Sequence, residues 1–278
     1  PFVRIARFLS ECGLSAPRIF AEDPTNGFLL LEDLGDALFA RVVAQDPMLE
    51  MPLYAAATDA LAHLHQAKPP MLEPYSPDYM TEMAGLAWGW YQRGITGHTD
   101  GQTAFEAQFL PLLRRHAPDQ TVLIQRDFHA ENLLWLPNRT GVQRVGLLDF
   151  QDARTGHPAY DLVSLLKDAR RDVPAKVERA MIARYVQNTN SDPRAFDAAY
   201  QLLGVQRNLR ILGVFARLSL HFNKPHYVDL IPRVWDHLMI GVDHEIAEPI
   251  ATAIRDLPCP TSENLQKLKD QAGCVPTL

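Results

Sequence analysis

The stretch LIQRDFHAENLLWL, residues 123–136, constrains the fold more than any other part of the chain. Residues 122–125 and 133–136 are apolar runs of the length of buried strands, yet Arg126, Asp127, His129, Glu131 and Asn132 stand between them. Burying unpaired charge costs several kcal/mol, so these side chains belong to a loop at an edge and not to a core. A third apolar run, residues 145–148, follows the turn-rich Pro137-Asn138-Arg139-Thr140-Gly141. Residues 133–148 therefore read as a hairpin. Asn132 just before its first strand and Asp149 just after its second must then end side by side.

Around this hairpin the pattern is mostly helical. Phe2, Ile5, Phe8 and Leu9 predict an amphipathic helix over residues 1–12, stopped at Gly13. Residues 18–21 and 28–31 flank Asp23-Pro24-Thr25-Asn26-Gly27 and predict a second hairpin. Helical spacing then recurs over residues 52–66, 78–92, 103–116, 159–170, 175–188, 194–220 and 229–245, with a Pro-punctuated tail from 258. Strands and helices do not alternate, so the class is α+β and not a doubly wound sheet.

Composition excludes several roles. The 278 residues carry a net charge of -6 with no clustered basic face, which argues against nucleic acid as a partner. No apolar run reaches the ~20 residues of a membrane span, and no secretory signal is visible, so a cytoplasmic protein is expected. Cys12, Cys259 and Cys274 have no paired spacing and read as ordinary thiols.

An amide oxygen and a carboxylate meeting at a hairpin edge suit a hard cation such as Mg²⁺, which takes one or two protein oxygens and completes its shell with water and phosphate. Asp127, close by and outside that pair, can orient a hydroxyl or take its proton. Phosphoryl transfer requires this inventory, since its catalysis is positioning and charge neutralisation.

R-D-x-x-x-x-N followed by a hairpin and D-F-x resembles the catalytic and metal loops of the protein-kinase-like fold. The longer strings QRDFHAENLL and LLDFQDARTGHPAYDL are similar to those of the aminoglycoside phosphotransferase and choline kinase family. The resemblance implies a bilobal fold: residues 1–34 as a partial N-terminal lobe and hinge, and residues 35–278 as a mainly helical C-terminal lobe. It implies an ATP-dependent kinase of small molecules, with Asp127 as catalytic base and Asn132 and Asp149 holding Mg²⁺. Gln125 and Asp161 would support the catalytic loop. FLLLEDLGD, residues 28–36, resembles the hinge, so adenine is expected against the backbone of Glu32 and Leu34 with Leu31 beside the ring. The Gly-rich hairpin and strand lysine of such a lobe are not visible, and the chain begins at Pro1 without Met, so a preceding segment is expected. Residues 145–174 and QRNLRILGVFARL further resemble bacterial amino-sugar kinases that phosphorylate the anomeric hydroxyl of N-acetylmuramate and N-acetylglucosamine. Aminoglycosides, choline and amino acids stand as alternative acceptors, and an ATP-binding pseudokinase-like module as the alternative of another class. The acceptor-contacting residues and the oligomeric state do not follow from the sequence.

Some residues have a plainer reading. His129 reads as a structural loop histidine, and His65 as a helix C-terminal or core-edge group. Trp88, Trp90 and Tyr91 read as core packing rather than a sugar platform. Arg170-Arg171, Arg207 and Arg210 read as solvated surface.

Overall fold

In the computed structural model, which describes residues 1–275, helix α1 (Phe2–Glu11) buries Ile5, Ala6 and Leu9 along one stripe, as its spacing predicts. A hairpin follows, β1 (Ile19–Asp23) against β2 (Phe28–Leu31), closed through an Asn26 that bonds back to Asp23. Among the described residues all the strands form antiparallel pairs: β1 with β2, β3 (Val122–Ile124) with β6 (Arg154–Gly156), and β4 (Leu133–Trp135) with β5 (Val145–Leu147). Helices supply the rest, so the class is α+β as expected.

The chain divides into two compact units. The first comprises residues 1–75 and 119–196, and the lobe boundary expected after residue 34 falls inside it. It holds all three strand pairs, with α1, α2 (Phe39–Gln45), α3 (Glu50–Leu64), α7 (Ala159–Leu166) and α8 (Ala175–Thr189). The β4–β5 hairpin is its centre. Leu133 faces Leu147, Leu134 faces Gly146 and Trp135 faces Val145. One edge receives Ser15, whose carbonyl accepts the Leu147 N–H at 2.9 Å, and the other receives Ala37, whose carbonyl accepts the Trp135 N–H at 2.8 Å. A Cβ on Gly146 would stand 3.0 Å from the Leu134 Cβ and 3.3 Å from the Leu34 Cδ1, so the glycine lets Leu34 settle onto the hairpin.

The second unit comprises residues 76–118 and the described residues from 197 onward. Here α4 (Pro77–Leu86) runs into a π-helical turn at Ala87–Gln92, then α5 (Arg93–Thr96) and α6 (Gln102–His116). Further on come most of α9 (Pro193–Leu220), then α10 (Ile231–Val242), α11 (Glu248–Arg255) and α12 (Ser262–Asp270). Gly213 meets the chain where α4 gives way to the π turn: a Cβ there would lie 2.3 Å from the Leu86 carbonyl. Trp88, Trp90 and Tyr91 are buried, Trp88 stacking on Phe105 at 4.4 Å, so the core-packing reading holds.

Several expectations are corrected. The sequence pattern does not predict β6, α2 or α11, which the structure forms. The helix predicted over 159–170 ends at Leu166, where Lys167 leaves helical dihedrals (φ −112°, ψ 51°). Arg207 is buried rather than solvated, because the central turns of α9 are covered on every side. Arg171 is not solvated surface either: it donates to Glu50 and to the Tyr54 hydroxyl, both at 2.8 Å. Among the described residues no helix is long and apolar enough to cross a membrane.

Candidate active site

The charged loop between β3 and β4 is held from behind by one buried carboxylate. Asp161, in the first turn of α7, accepts the main-chain N–H of Gln125 at 2.6 Å and that of Arg126 at 2.9 Å. Its position near a helix start favours the negative charge as well. Arg126 has a φ of 72°, a left-handed conformation uncommon for a side chain of this size, and the Asp161 clamp stabilises it there. The Ser164 hydroxyl adds a bond to the Arg126 carbonyl at 3.1 Å. Gln125 thus joins this support through its main chain. Its side-chain Nε2 is buried with no hydrogen-bond partner among the described residues.

The hairpin brings Asn132 and Asp149 together as its geometry requires. The Leu148 N–H donates to the Asn132 carbonyl at 3.0 Å, closing the ladder one pair beyond β4 and β5. The Asn132 side-chain Nδ2 donates to the Asp127 carbonyl at 2.9 Å and lies 3.3 Å from an Asp149 carboxylate oxygen. With Nδ2 committed to these acceptors, the Asn132 Oδ1 has no hydrogen-bond partner among the described residues and could serve as an oxygen ligand. Asp149 sits at a φ of 55°, so the strand turns sharply there and delivers an exposed carboxylate, steadied by Gln151 Nε2 at 2.5 Å. Directly after it, Phe150 is fully buried and stacks on Phe2 of α1 at 5.0 Å.

The Asp127 carboxylate is half-buried and makes no hydrogen bond or ion pair among the described residues. A carboxylate so placed can accept a proton from a hydroxyl brought to it. Among the described residues, no group of three or more His, Cys, Asp or Glu side chains could hold a metal ion. A divalent ion at Asn132 and Asp149 thus fits only if water or substrate oxygens complete its shell, the habit of Mg²⁺.

His129 is buried beneath this loop, its Nε2 lying 3.3 Å from Arg170 Nη1 and 3.4 Å from Asn132 Nδ2. Arg170 also reaches Glu131 at 3.0 Å, so it braces the loop instead of standing in solvent. Sequence reasoning missed this role, since an Arg-Arg doublet after a helix carries no sign of what it packs on. Behind the clamp, burial and the nearby Asp161 charge raise the Tyr185 phenol, which therefore stays protonated and bonds His65 Nδ1 at 2.6 Å. Burial pushes His65 down to about 3 and His157 down to about 4, so both rings are neutral.

At the expected hinge, Leu31 is half-buried and the Glu32 side chain is taken up by the protein. Its carboxylate accepts from Arg139 at 2.7 Å and from the Arg18 N–H at 3.2 Å, while its own N–H donates to the Arg18 carbonyl at 2.8 Å. The Glu32 carbonyl and the Leu34 N–H have no hydrogen-bond partner among the described residues. They remain as an acceptor and a donor two residues apart.

Residues 1–198 match the model of the phosphotransferase enzyme family. An N-acetylmuramate/N-acetylglucosamine kinase from Caulobacter vibrioides is 41% identical over 274 residues, covering 94% of this chain and 75% of that protein. A protein of the same name from Pseudomonas aeruginosa is 34% identical over 261 residues, covering 89% and 75%. The fold is similar to that of a choline kinase from Streptococcus pneumoniae, with a TM-score of 0.58 and 14% identity over 86% of this chain and 79% of that one. A clamped charged loop, an amide–carboxylate pair at a hairpin edge and a family match that spans both agree: the chain belongs to the phosphotransferase enzyme family.

Proposed function

We propose that the protein moves the γ-phosphoryl group of ATP to the anomeric hydroxyl of an amino sugar, N-acetylmuramate or N-acetylglucosamine. The observation that carries phosphoryl transfer is the meeting of Asn132 and Asp149, 3.3 Å apart, beside an Asp127 carboxylate without protein partners among the described residues. The acceptor rests on the relatives at 41% and 34% identity and on the names they carry.

In this reading Asn132 Oδ1 and an Asp149 oxygen hold Mg²⁺. Bound there, the ion neutralises phosphate charge that would otherwise repel the incoming oxygen. Asp127 aims the acceptor hydroxyl and takes its proton as the oxygen bonds to the γ-phosphorus and ADP departs. Asp161 keeps Asp127 in place by holding the two residues before it. The Glu32 carbonyl and Leu34 N–H receive the adenine edge, with Leu31 against the ring. Residues 1–34 act as a partial N-terminal lobe and hinge and residues 35–278 as the helical lobe, in a protein that works in the cytoplasm on a cell-wall sugar.

The test is an acceptor panel with Mg²⁺-ATP and mass detection, containing both amino sugars, an aminoglycoside, choline and an amino acid. Transfer to an amino sugar with loss of its reducing end identifies the anomeric phosphate. Turnover of choline or an aminoglycoside alone would overturn the acceptor. Absence of turnover with any member, despite metal-dependent ATP binding, would point to a binding module.

A further inference from the structure

A cleft of about 460 Å³ lies next to the catalytic loop, and the phosphoryl-transfer reading makes no use of it. Its lining includes Arg4 from α1, Arg126 from the catalytic loop and Arg154 from β6, together with Glu73, Gln151 and Asp152. Arg4 donates to the main-chain carbonyl of Met71, Arg126 to that of Asp152 at 3.3 Å and Arg154 to that of Pro74 at 3.3 Å. Neither Arg4 nor Arg126 is ion-paired to a carboxylate among the described residues. The Arg126 guanidinium lies over the Tyr75 ring at 5.4 Å, and its Nε is buried with no hydrogen-bond partner among the described residues.

A buried donor without an acceptor is uncommon and costs about 1–3 kcal/mol, so it calls for an explanation. The lining holds three arginines against two carboxylates, a formal balance of +1. Three planar forks arriving from three separate elements match an anion with three or more acceptor oxygens better than a flat carboxylate, which satisfies one or two. We propose that this cleft binds a small phosphate-bearing anion, either inorganic phosphate or a phosphomonoester, through Arg4, Arg126 and Arg154. Arg126 immediately precedes Asp127, and Asp152 follows Asp149 by three residues. A bound phosphate therefore ties α1 and β6 to the catalytic loop.

The test uses the full chain in EDTA, without nucleotide, so that the metal site takes no part. Thermal unfolding is followed during titration with inorganic phosphate, and separately with glucose 1-phosphate, against chloride at constant ionic strength; calorimetry gives the affinity. A saturable rise in Tm is expected, with affinity weakened about tenfold in Arg4→Gln and in Arg154→Gln, the worth of one charged hydrogen-bonding group. Glu73→Gln, which removes a repelling carboxylate, should tighten binding, and Asp149→Ala should leave it unchanged. The stronger of the two probes identifies the source of the phosphate. The proposal is overturned if neither probe gives a saturable shift, or if the shift is the same in the wild type, both arginine variants and Glu73→Gln, or if it disappears in Asp149→Ala. Since Arg4 is exposed on α1, its variant folds even if that of Arg154 does not.

Discussion

The Arg126 main-chain N–H donates to the Asp161 carboxylate at 2.9 Å, although the two residues are 35 apart in the sequence. The bond sets a left-handed backbone immediately before Asp127, and its partner from Gln125 doubles the hold. Asp161→Ala strands two N–H groups, the one on Gln125 being buried. At about 1–3 kcal/mol for each unsatisfied donor, unfolding in urea should show a loss on the order of 3 kcal/mol. Asp161→Asn keeps one acceptor and presents an NH₂ to the other donor, so its loss should be nearly as large. A change below about 0.5 kcal/mol, the level of an ordinary surface substitution, would remove Asp161 from this role.

The proposed mechanism gives Asp127 and Asp149 different duties, and kinetics should separate them. Asp127→Asn should lower kcat by about 10²–10⁴-fold, the usual contribution of a positioned acid–base group. Its nucleotide affinity, read by calorimetry, should stay within about twofold, because the proposed mechanism has the carboxylate serve the acceptor hydroxyl and not the nucleotide. Asp149→Asn should abolish the Mg²⁺-dependent part of nucleotide binding. If the two variants share one profile, the division of labour is wrong.

The sequence discloses most of this site because the loop between β3 and β4 lies next to the hairpin that completes it. Asn132 and Asp149 are brought together by a local ladder, and alternation with turn residues is enough to read one. The β3–β6 pair was hidden for the opposite reason. Val122 meets Gly156 across an intervening hairpin and loop, and RTG has neither the length nor the apolar content of a recognisable strand. Arg170 and Arg171 escaped notice because long polar side chains look alike in sequence whether they meet water or Glu131 and Glu50. The segment expected as a hinge is intermediate: FLLL reads as a strand, but that the Glu32 carboxylate is spent on Arg139 depends on a partner 107 residues away.

Arg170 should tune metal binding without entering the chemistry. It donates toward His129 Nε2 and pairs with Glu131, and the same His129 nitrogen lies 3.4 Å from the Asn132 amide. Removing such outer partners typically costs about 10–100-fold in metal affinity. Arg170→Ala should therefore raise the half-saturating Mg²⁺ concentration about tenfold at the least, with kcat at saturating metal nearly unchanged. Mn²⁺ binding followed by electron paramagnetic resonance should weaken in parallel. A fall in kcat with an unaltered metal dependence would mean that Arg170 only holds the fold.

His157 should make the protein acid-sensitive. Its Nδ1 accepts the Ala159 N–H at 3.1 Å at the start of α7, the helix that carries Asp161. Burial lowers the ring from its ordinary 6.5 to about 4, against a weaker upward pull from Asp119. Between those values the unfolded chain binds a proton that the folded chain refuses. Stability is therefore fully present above about pH 6.5 and is lost as pH falls toward about 4, at up to about 1.4 kcal/mol per pH unit. His157→Asn retains an acceptor near the Nδ1 position but does not titrate. Urea midpoints measured from pH 7 to pH 4 should fall less steeply for this variant than for the wild type. Parallel curves would show that His157 contributes nothing to the acid response.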